Sequence, residues 1–520
     1  MKHPNIFFIV FDTLRADKLF LKYNNVCLTP FLKKLVKNSI HFQNCIANSP
    51  WTLPSHISMF TGLYPSQNLL ISEKLDYIGN KTPILAEILK DLGYSTICFT
   101  ENAFISNVYG LVRGFEKVFT VWDWNPWIRE KYPLSKYLLI LNKIDAFIKH
   151  KIKNKYFLYA WINFRDRNKK LVKFLIKKLF LKHLLSKLKN DTIKDLDAFN
   201  TFLNGFSNEN PIFIFFNFLS VHDPYIPLID AFHLFDIKSR DFNIIRDMLV
   251  DPLKKRLDVD IKSKFLSKKE INTIERLYNS CVYSCDIVMK KLFDILQANN
   301  LLKDSYLIIT SDHGEHLGSI SDRFLWEHST YQSVYEPLIK VPLILYNPDY
   351  KQKIINEQVQ LKDLFHTILH LTGIPESKNK YLDKTKSIIH QLENNSTPKY
   401  IIGEYLKPKK EMVDLINGHR RLINKELISK IYNDIYFVRS ENDKFIKYNK
   451  VQDEFFNLAE DQFEEIDIAS ENNSKYNKMK LKLESFLKKI YDKAEIKRII
   501  TSKEKDKLKK AIKKFSTNGL

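Results

Sequence analysis

The chain has 520 residues, 44% of them hydrophobic and 27% charged, with a formal charge of +22. That composition suits a folded protein with a large core, and it excludes a disordered chain or a small stapled module; the length exceeds one ordinary domain. The five cysteines, Cys27, Cys45, Cys98, Cys281 and Cys285, are odd in number, lack metal-finger spacing and lie in or beside apolar segments, so reduced thiols are expected.

The apolar stretch 6–11 has some look of a secretory leader. It is too short, ends in Asp12 and runs into Arg15, Asp17 and Lys18 with no small-residue cleavage site, so it reads as a first β-strand. No other segment reaches the roughly 18 unbroken apolar residues of a membrane span. A soluble cytoplasmic protein, peripheral to a membrane at most, is the expectation. Further strands are expected at 95–100, 212–218, 306–310 and 342–346, and helices at 82–92, 269–298 and 361–371, an alternation that signals an α/β fold. Strands this rich in Ile and Phe imply a sheet covered on both faces. Cys281 and Cys285, four apart on the long helix, fit ordinary packing.

Between Lys143 and Lys189 stand fifteen Lys and Arg against two Asp, interleaved with Leu, Ile, Phe and Trp. Such a segment is either a solvated helical insertion or a cationic surface for an anionic membrane or polyanionic glycan; no nucleic-acid recognition motif accompanies it. From about Tyr400 the runs shorten and carry Asn/Asp breaks, as at Asn433-Asp434 and Glu441-Asn442-Asp443, indicating a small C-terminal mixed α+β subdomain. The expected division is a catalytic domain over 1–400 with a basic insertion near 125–205, a subdomain over 401–475, and a basic helical tail over 476–520.

The chemistry gathers at strand ends, where open α/β sheets build their sites. Asp12 ends the first strand and Ser311-Asp312-His313-Gly314-Glu315 ends another. Two carboxylates and an imidazole make a sound ligand set for a divalent cation, although either acid alone would read as a cap or loop residue. Between them, the segment Trp51–Gly62 has the form of a loop turning into a short helix with an early Pro. Thr52 would stand at its N-terminus, where exposed N–H groups and the helix dipole favour a hydroxyl held as alkoxide; the plainer alternative is a capping Thr.

The stretches 5–19 (NIFFIVFDTLRADKL), 52–65 (TLPSHISMFTGLYP) and 309–315 (ITSDHGE) resemble three signature blocks of the sulfatases, in the alkaline phosphatase superfamily. Gly93-Tyr94-Ser95-Thr96, His222-Asp223-Pro224-Tyr225, 335–345 (YEPLIKVPLIL), 361–375 (LKDLFHTILHLTGIP) and 453–469 (DEFFNLAEDQFEEIDIA) resemble further family segments in the same order. The resemblance implies a mostly parallel central sheet between helices, and it leaves the basic stretch without a counterpart.

Four residues depart from the family pattern. Sulfatases carry Cys or Ser, oxidised to formylglycine, in a Cys-x-Pro-x-Arg motif, where this chain has Thr52, Pro54 and His56. Thr13 and His313 replace a second Asp and an Asn. The Asp-His pair is similar instead to phosphonate monoester hydrolases and to lipoteichoic-acid-synthase-type phosphotransferases, the latter with a Thr nucleophile. By this resemblance Asp12, Thr52, Asp312 and His313 hold one divalent ion (Mn, Zn or Ca). Thr52 attacks the substrate, and His222 and His328 protonate the leaving group or bind its charged oxygens. His56, Arg15, Asn102 and Lys340 are further substrate-binding candidates. The expected activity is hydrolysis of sulfate or phosphate esters on a small molecule, glycan or lipid head group. Two alternatives stay open: transfer of a phospho-head group onto a glycan or lipid, and a non-catalytic glycan- or lipid-binding relative.

Overall fold

The computed structural model of the chain describes residues 3–120, 191–406 and 434–490, apart from 73–77, 80–81, 207–208, 224, 239–240, 242–243, 245–265, 324, 327, 329–332, 449–450 and 472–473. The basic segment 143–189, Asn433 and the end of the expected tail lie outside the described residues.

Eight strands form one sheet: β1 (Asn5–Phe11), β2 (Ser39–Ile46), β3 (Ser95–Thr100), β4 (Lys117–Thr120), β5 (Ile212–Phe218), β6 (Ser305–Thr310), β7 (Lys340–Tyr346) and β8 (Lys353–Gln360), in the order β8-β2-β7-β6-β1-β5-β3-β4. All run one way except β7, which is antiparallel to both of its neighbours. The period-2 alternation of β1 shows how the sheet is buried: Phe7, Ile9 and Phe11 point into one core, and Ile6, Phe8 and Val10 into the other. The first core is roofed by α3 (Asp191–Asn204) and α4 (Lys268–Ala298), the second by α1 (Thr52–Thr61), α2 (Leu85–Asp91) and α5 (Leu364–Leu371). Cys281 and Cys285 are buried on α4 among these core side chains, so their spacing reflects packing. A capping box starts α4: Ser267 Oγ accepts from the Glu270 backbone N–H while the Glu270 carboxylate accepts from that of Ser267.

All five strands expected from the sequence are present, as are the three helices, the last opening with a 3-10 turn at Leu361–Asp363. The pattern misses β2, β4 and β8. β4 and β8 are the edges of the sheet, and β2, beside β8, alternates polar with apolar residues, so none presents the continuous apolar run of an interior strand.

The C-terminal part forms an antiparallel meander, β9 (Ile401–Tyr405), β10 (Ile435–Arg439), β11 (Asp443–Tyr448) and β12 (Glu454–Asn457), followed by helix 474–490. Ile401, Phe437, Ile446 and Phe456 face Val334, Leu338 and Ile339 of the main body; Val438, Phe445 and Phe455 face Met479 and Leu483 of the helix. Buried charges tie the first interface: Arg439 forks onto Glu336 at 3.0 and 3.1 Å, and Lys444 bridges Glu464 at 2.7 Å and Glu336 at 3.3 Å. Gly403 sits where any Cβ would fall 2.1 Å from the Phe437 ring, so the close strand approach requires glycine.

Candidate active site

Register brings four strand ends together. Phe11 pairs with Phe218, Val10 with Thr310, and Thr100 with Asn217, so the residues that follow β6, β1, β5 and β3 leave the sheet along one edge. Those residues are Asp312 and His313, Asp12, His222, and Asn102. The chain turns sharply after Asp12 because Thr13 adopts a left-handed φ of 64°, a strained conformation for a β-branched residue. Tyr278 of α4 holds the turn, donating to the Thr13 carbonyl at 2.6 Å and accepting from the Arg15 N–H at 3.1 Å.

Asp12, Asp312 and His313 are fully buried, and one ligand atom from each lies within 4.8 Å of the others. His313 Nε2 stands 3.6 Å from Asp12 Oδ1 and 3.5 Å from Asp312 Oδ2. Its Nδ1 is 2.8 Å from the Gly314 carbonyl, which fixes the proton on Nδ1 and leaves Nε2 as a donor of electrons to the centre. Asp12 Oδ1 and Asp312 Oδ2 have no hydrogen-bond partner. Burying two such oxygens costs several kcal/mol, and a divalent cation among them removes that cost; the residues present fit the metal ion. Around the set, Asn102 Nδ2 donates to Asp12 Oδ2 at 2.7 Å and Ser55 Oγ to the Asp312 carbonyl at 2.7 Å. Gly314 follows because a Cβ there would lie 2.0 Å from the Pro337 carbonyl oxygen.

α1 carries Thr52 into this cluster. The helix is buried along its length and closes at Gly62, whose φ of 69° provides the left-handed C-cap. Trp51, with extended backbone, is the N-cap residue, and Thr52 is the first helical residue. Its hydroxyl is thus not a cap; Oγ1 lies 3.3 Å from His313 Nε2. One turn on, His56 Nδ1 is 2.8 Å from the Thr52 carbonyl and 3.5 Å from Asp312 Oδ2, and its Nε2 is 3.3 Å from Asn217 Nδ2. His56 therefore braces the helix that carries Thr52, and one carboxylate, from behind.

On the open side, His222 and His328 face each other with ring centroids 5.0 Å apart, and His328 stands 4.7 Å from His313. His222 Nδ1 is 2.6 Å from the Asp223 carbonyl and 3.0 Å from its carboxylate. His328 Nδ1 is 3.1 Å from buried Glu315. The metal-free field is strongly anionic. Burial, and then their mutual repulsion, raise the Asp12 carboxyl, and burial raises that of Asp312. Burial and Asp223 push Glu315 up to about 8. His222 is raised to about 9 because Asp223 and Asp12 outweigh its desolvation, whereas burial, with His328 beside it, drives His313 down to about 4.

Arg15 and Lys340 stand apart from these residues. The Arg15 guanidinium is committed to Asp17, to Asp322 at 2.6 Å and to the Glu315 carbonyl. Lys340, at the start of β7, lies in the field of Glu336, Arg439 and Asp17. Asn217 and Tyr278 escaped the sequence reading, and Glu315 entered it only as the end of the strand-terminal motif, without a role. Asn217 carried a usable signal, being the lone polar residue in the strand IFIFFNF; Tyr278 carried none.

The Sulfatase family model matches residues 4–374. Arylsulfatase K of Bos taurus is 21% identical over 512 residues, 93% of this chain and 82% of that protein, and that of Canis lupus familiaris is 22% identical over 395 residues, 72% of this chain and 64% of its own length. Among solved structures, the phosphonate monoester hydrolase of Agrobacterium radiobacter superposes with a TM-score of 0.63 at 15% identity, covering 94% of this chain and 96% of that one. Members of the family are metal-dependent, in line with the ligand set described above. With the signature segments in order and the family match spanning most of its length, the chain belongs to the Sulfatase family and is an ester hydrolase.

Proposed function

We propose that this hydrolase works through a covalent Thr52 ester, and that phosphoesters are its preferred substrates. The observation that carries the reading is the Thr52 hydroxyl, freed from capping and set 3.3 Å from His313 Nε2 beside two unpartnered carboxylate oxygens. Asp12, Asp312, His313 and Thr52 would hold a divalent ion, which would supply Lewis acidity toward the Thr52 hydroxyl and a non-bridging substrate oxygen. Thr52 attacks phosphorus in line, helped by the N–H groups at the start of α1, and the alcohol departs on the opposite side. His222 and His328 stabilise the departing oxygen, and water then resolves the ester.

The chemistry of threonine favours phosphoesters over sulfate esters. It cannot be oxidised to an aldehyde, so its ester has to be cleared by attack at the central atom, which phosphoryl centres accept more readily than sulfuryl ones. Sulfate-ester hydrolysis by the same Thr route is the second reading, favoured by the names of the arylsulfatase relatives. Matched aryl sulfate, aryl phosphate and phosphodiester substrates, with Thr52→Ala as control, separate the two. Faster turnover of the phosphoesters and a phosphorylated Thr52 peptide by mass spectrometry are expected; turnover that survives Thr52→Ala refutes the covalent route.

A further inference from the structure

We infer that Glu101 is a positioning residue that orients His222 over the site; the inference rests on the role proposed above for that imidazole at the departing oxygen. Glu101 follows Thr100, the last residue of β3, and stays in the ladder, its N–H donating to the Asn217 carbonyl at 3.0 Å. The side chain is buried and serves two donors from distant segments. Oε2 accepts from the Leu219 N–H and Oε1 from the Thr192 hydroxyl, each at 2.8 Å.

Leu219 opens the turn that delivers His222. It comes directly after β5, and its carbonyl accepts from the His222 N–H at 3.1 Å. Glu101 thus holds the first residue of the turn while the turn closes on its last. Val221, between them, is buried in the first core. An apolar contact is non-directional and fixes depth without orientation, whereas a hydrogen bond weakens steeply once misaligned. The orientation of the turn, and with it that of the imidazole facing His328 at 5.0 Å, falls to the carboxylate.

A buried carboxylate is costly unless its oxygens are bonded, and among the described residues no lysine or arginine pairs with Glu101. Its charge strengthens instead the two bonds it accepts. Thr192 is the second residue of α3, so one side chain ties that helix and the His222 turn to the end of β3. Successive side chains leave a strand end in opposite directions. Asn102, next in line, turns to Asp12, while Glu101 turns to the His222 side; adjacent residues thereby support the attacking and the departing halves of the reaction.

The test is leaving-group dependence in the full chain, read as kcat/KM over aryl esters of graded phenol acidity, phosphate or sulfate, whichever the chain turns over. His222→Ala is expected to slow esters of weakly acidic phenols most. Glu101→Ala is expected to follow the same trend, with a loss of about ten- to hundred-fold for the least acidic phenol and no further loss in the double variant. Glu101→Gln, which keeps an acceptor oxygen for the Leu219 N–H, restores most of the rate. Thr192→Val, which removes one bond at a half-buried position, serves if Glu101→Ala unfolds, and shows the trend on a smaller scale. Mn²⁺ affinity stays at the wild-type value, since the Asn102 bond to Asp12 is untouched. Equal slowing of every ester by Glu101→Ala, losses that add to those of His222→Ala, or a weakened Mn²⁺ affinity overturns the positioning role of Glu101 while that of His222 stands. Equal slowing of every ester by His222→Ala overturns the role of His222 and the inference with it.

Discussion

Thr52 and His313 are 261 positions apart in the sequence, yet the hydroxyl of one lies 3.3 Å from Nε2 of the other. The contact exists because α1 starts beneath the sheet edge at which β6 ends. It sets the first prediction. Thr52→Ala is expected to lower turnover by at least about a thousand-fold, as loss of a nucleophile does, while Thr52→Ser, which restores a hydroxyl on the same carbon, retains a measurable rate. Steady-state kinetics on an aryl phosphate check this; equal losses in the two variants would deny the hydroxyl its role.

Asn102 acts on Asp12 from behind, donating to Oδ2 at 2.7 Å and so turning Oδ1 toward His313. Removing an outer-layer partner of this kind typically weakens metal binding by roughly 10–100-fold. Asn102→Ala is therefore expected to raise the Mn²⁺ dissociation constant by that factor in calorimetric titration, with little change in thermal stability of the metal-free protein.

Stability of the metal-free chain should decline between pH 6.5 and 9. Folded Glu315 titrates at about 8 against an ordinary 4.5, and folded His222 at about 9 against 6.5. Both bind protons more tightly in the folded state, so the stability they confer is complete below the ordinary values and is lost as pH rises through the folded ones. His313, held at about 4, has the opposite sign and acts only below its ordinary 6.5. Divalent cations pair the carboxylates that protons otherwise neutralise. Scanning calorimetry should thus show a larger metal-induced rise in Tm at pH 8.5 than at pH 6.5; an equal rise at both would contradict the assignment.

Arg15 is a structural cation. Its bond to buried Asp322 measures 2.6 Å, and Asp322 in turn accepts from the Leu317 N–H at 3.0 Å, holding the loop after Asp312. Arg15→Met leaves Asp322 uncompensated and is expected to cost about 3–5 kcal/mol. The loss should show as a lower Tm in denaturation experiments and not as a selective rise in KM.

Gly314 tests the loop from its other end. Its notional Cβ meets a backbone oxygen 2.0 Å away, a neighbour that cannot rotate aside. Gly314→Ala is expected to displace His313 and depress turnover at least about ten-fold, with a metal affinity that falls in parallel; unchanged kinetics would show that the loop yields at no cost.

Much of the fold was legible because interior strands announce themselves. β1 and β5 are apolar runs buried on both faces, and the acid that ends β1 marks the sheet edge where a site forms. The order of the signature segments carried the family, and the residue types at Asp12, Asp312 and His313 marked a set able to hold a metal. The sheet edges stayed hidden, since β4 and β8 need no continuous apolar pattern. The site's outer layer was hidden for another reason. Whether Arg15 binds a substrate or Asp322, and whether Tyr278 is mere core or the clamp on Thr13, depends on which side chains meet across some 265 to 307 positions of sequence. Local sequence fixes which residues are apolar or able to ligate; strand register and helix placement alone decide which of them share the same few ångströms.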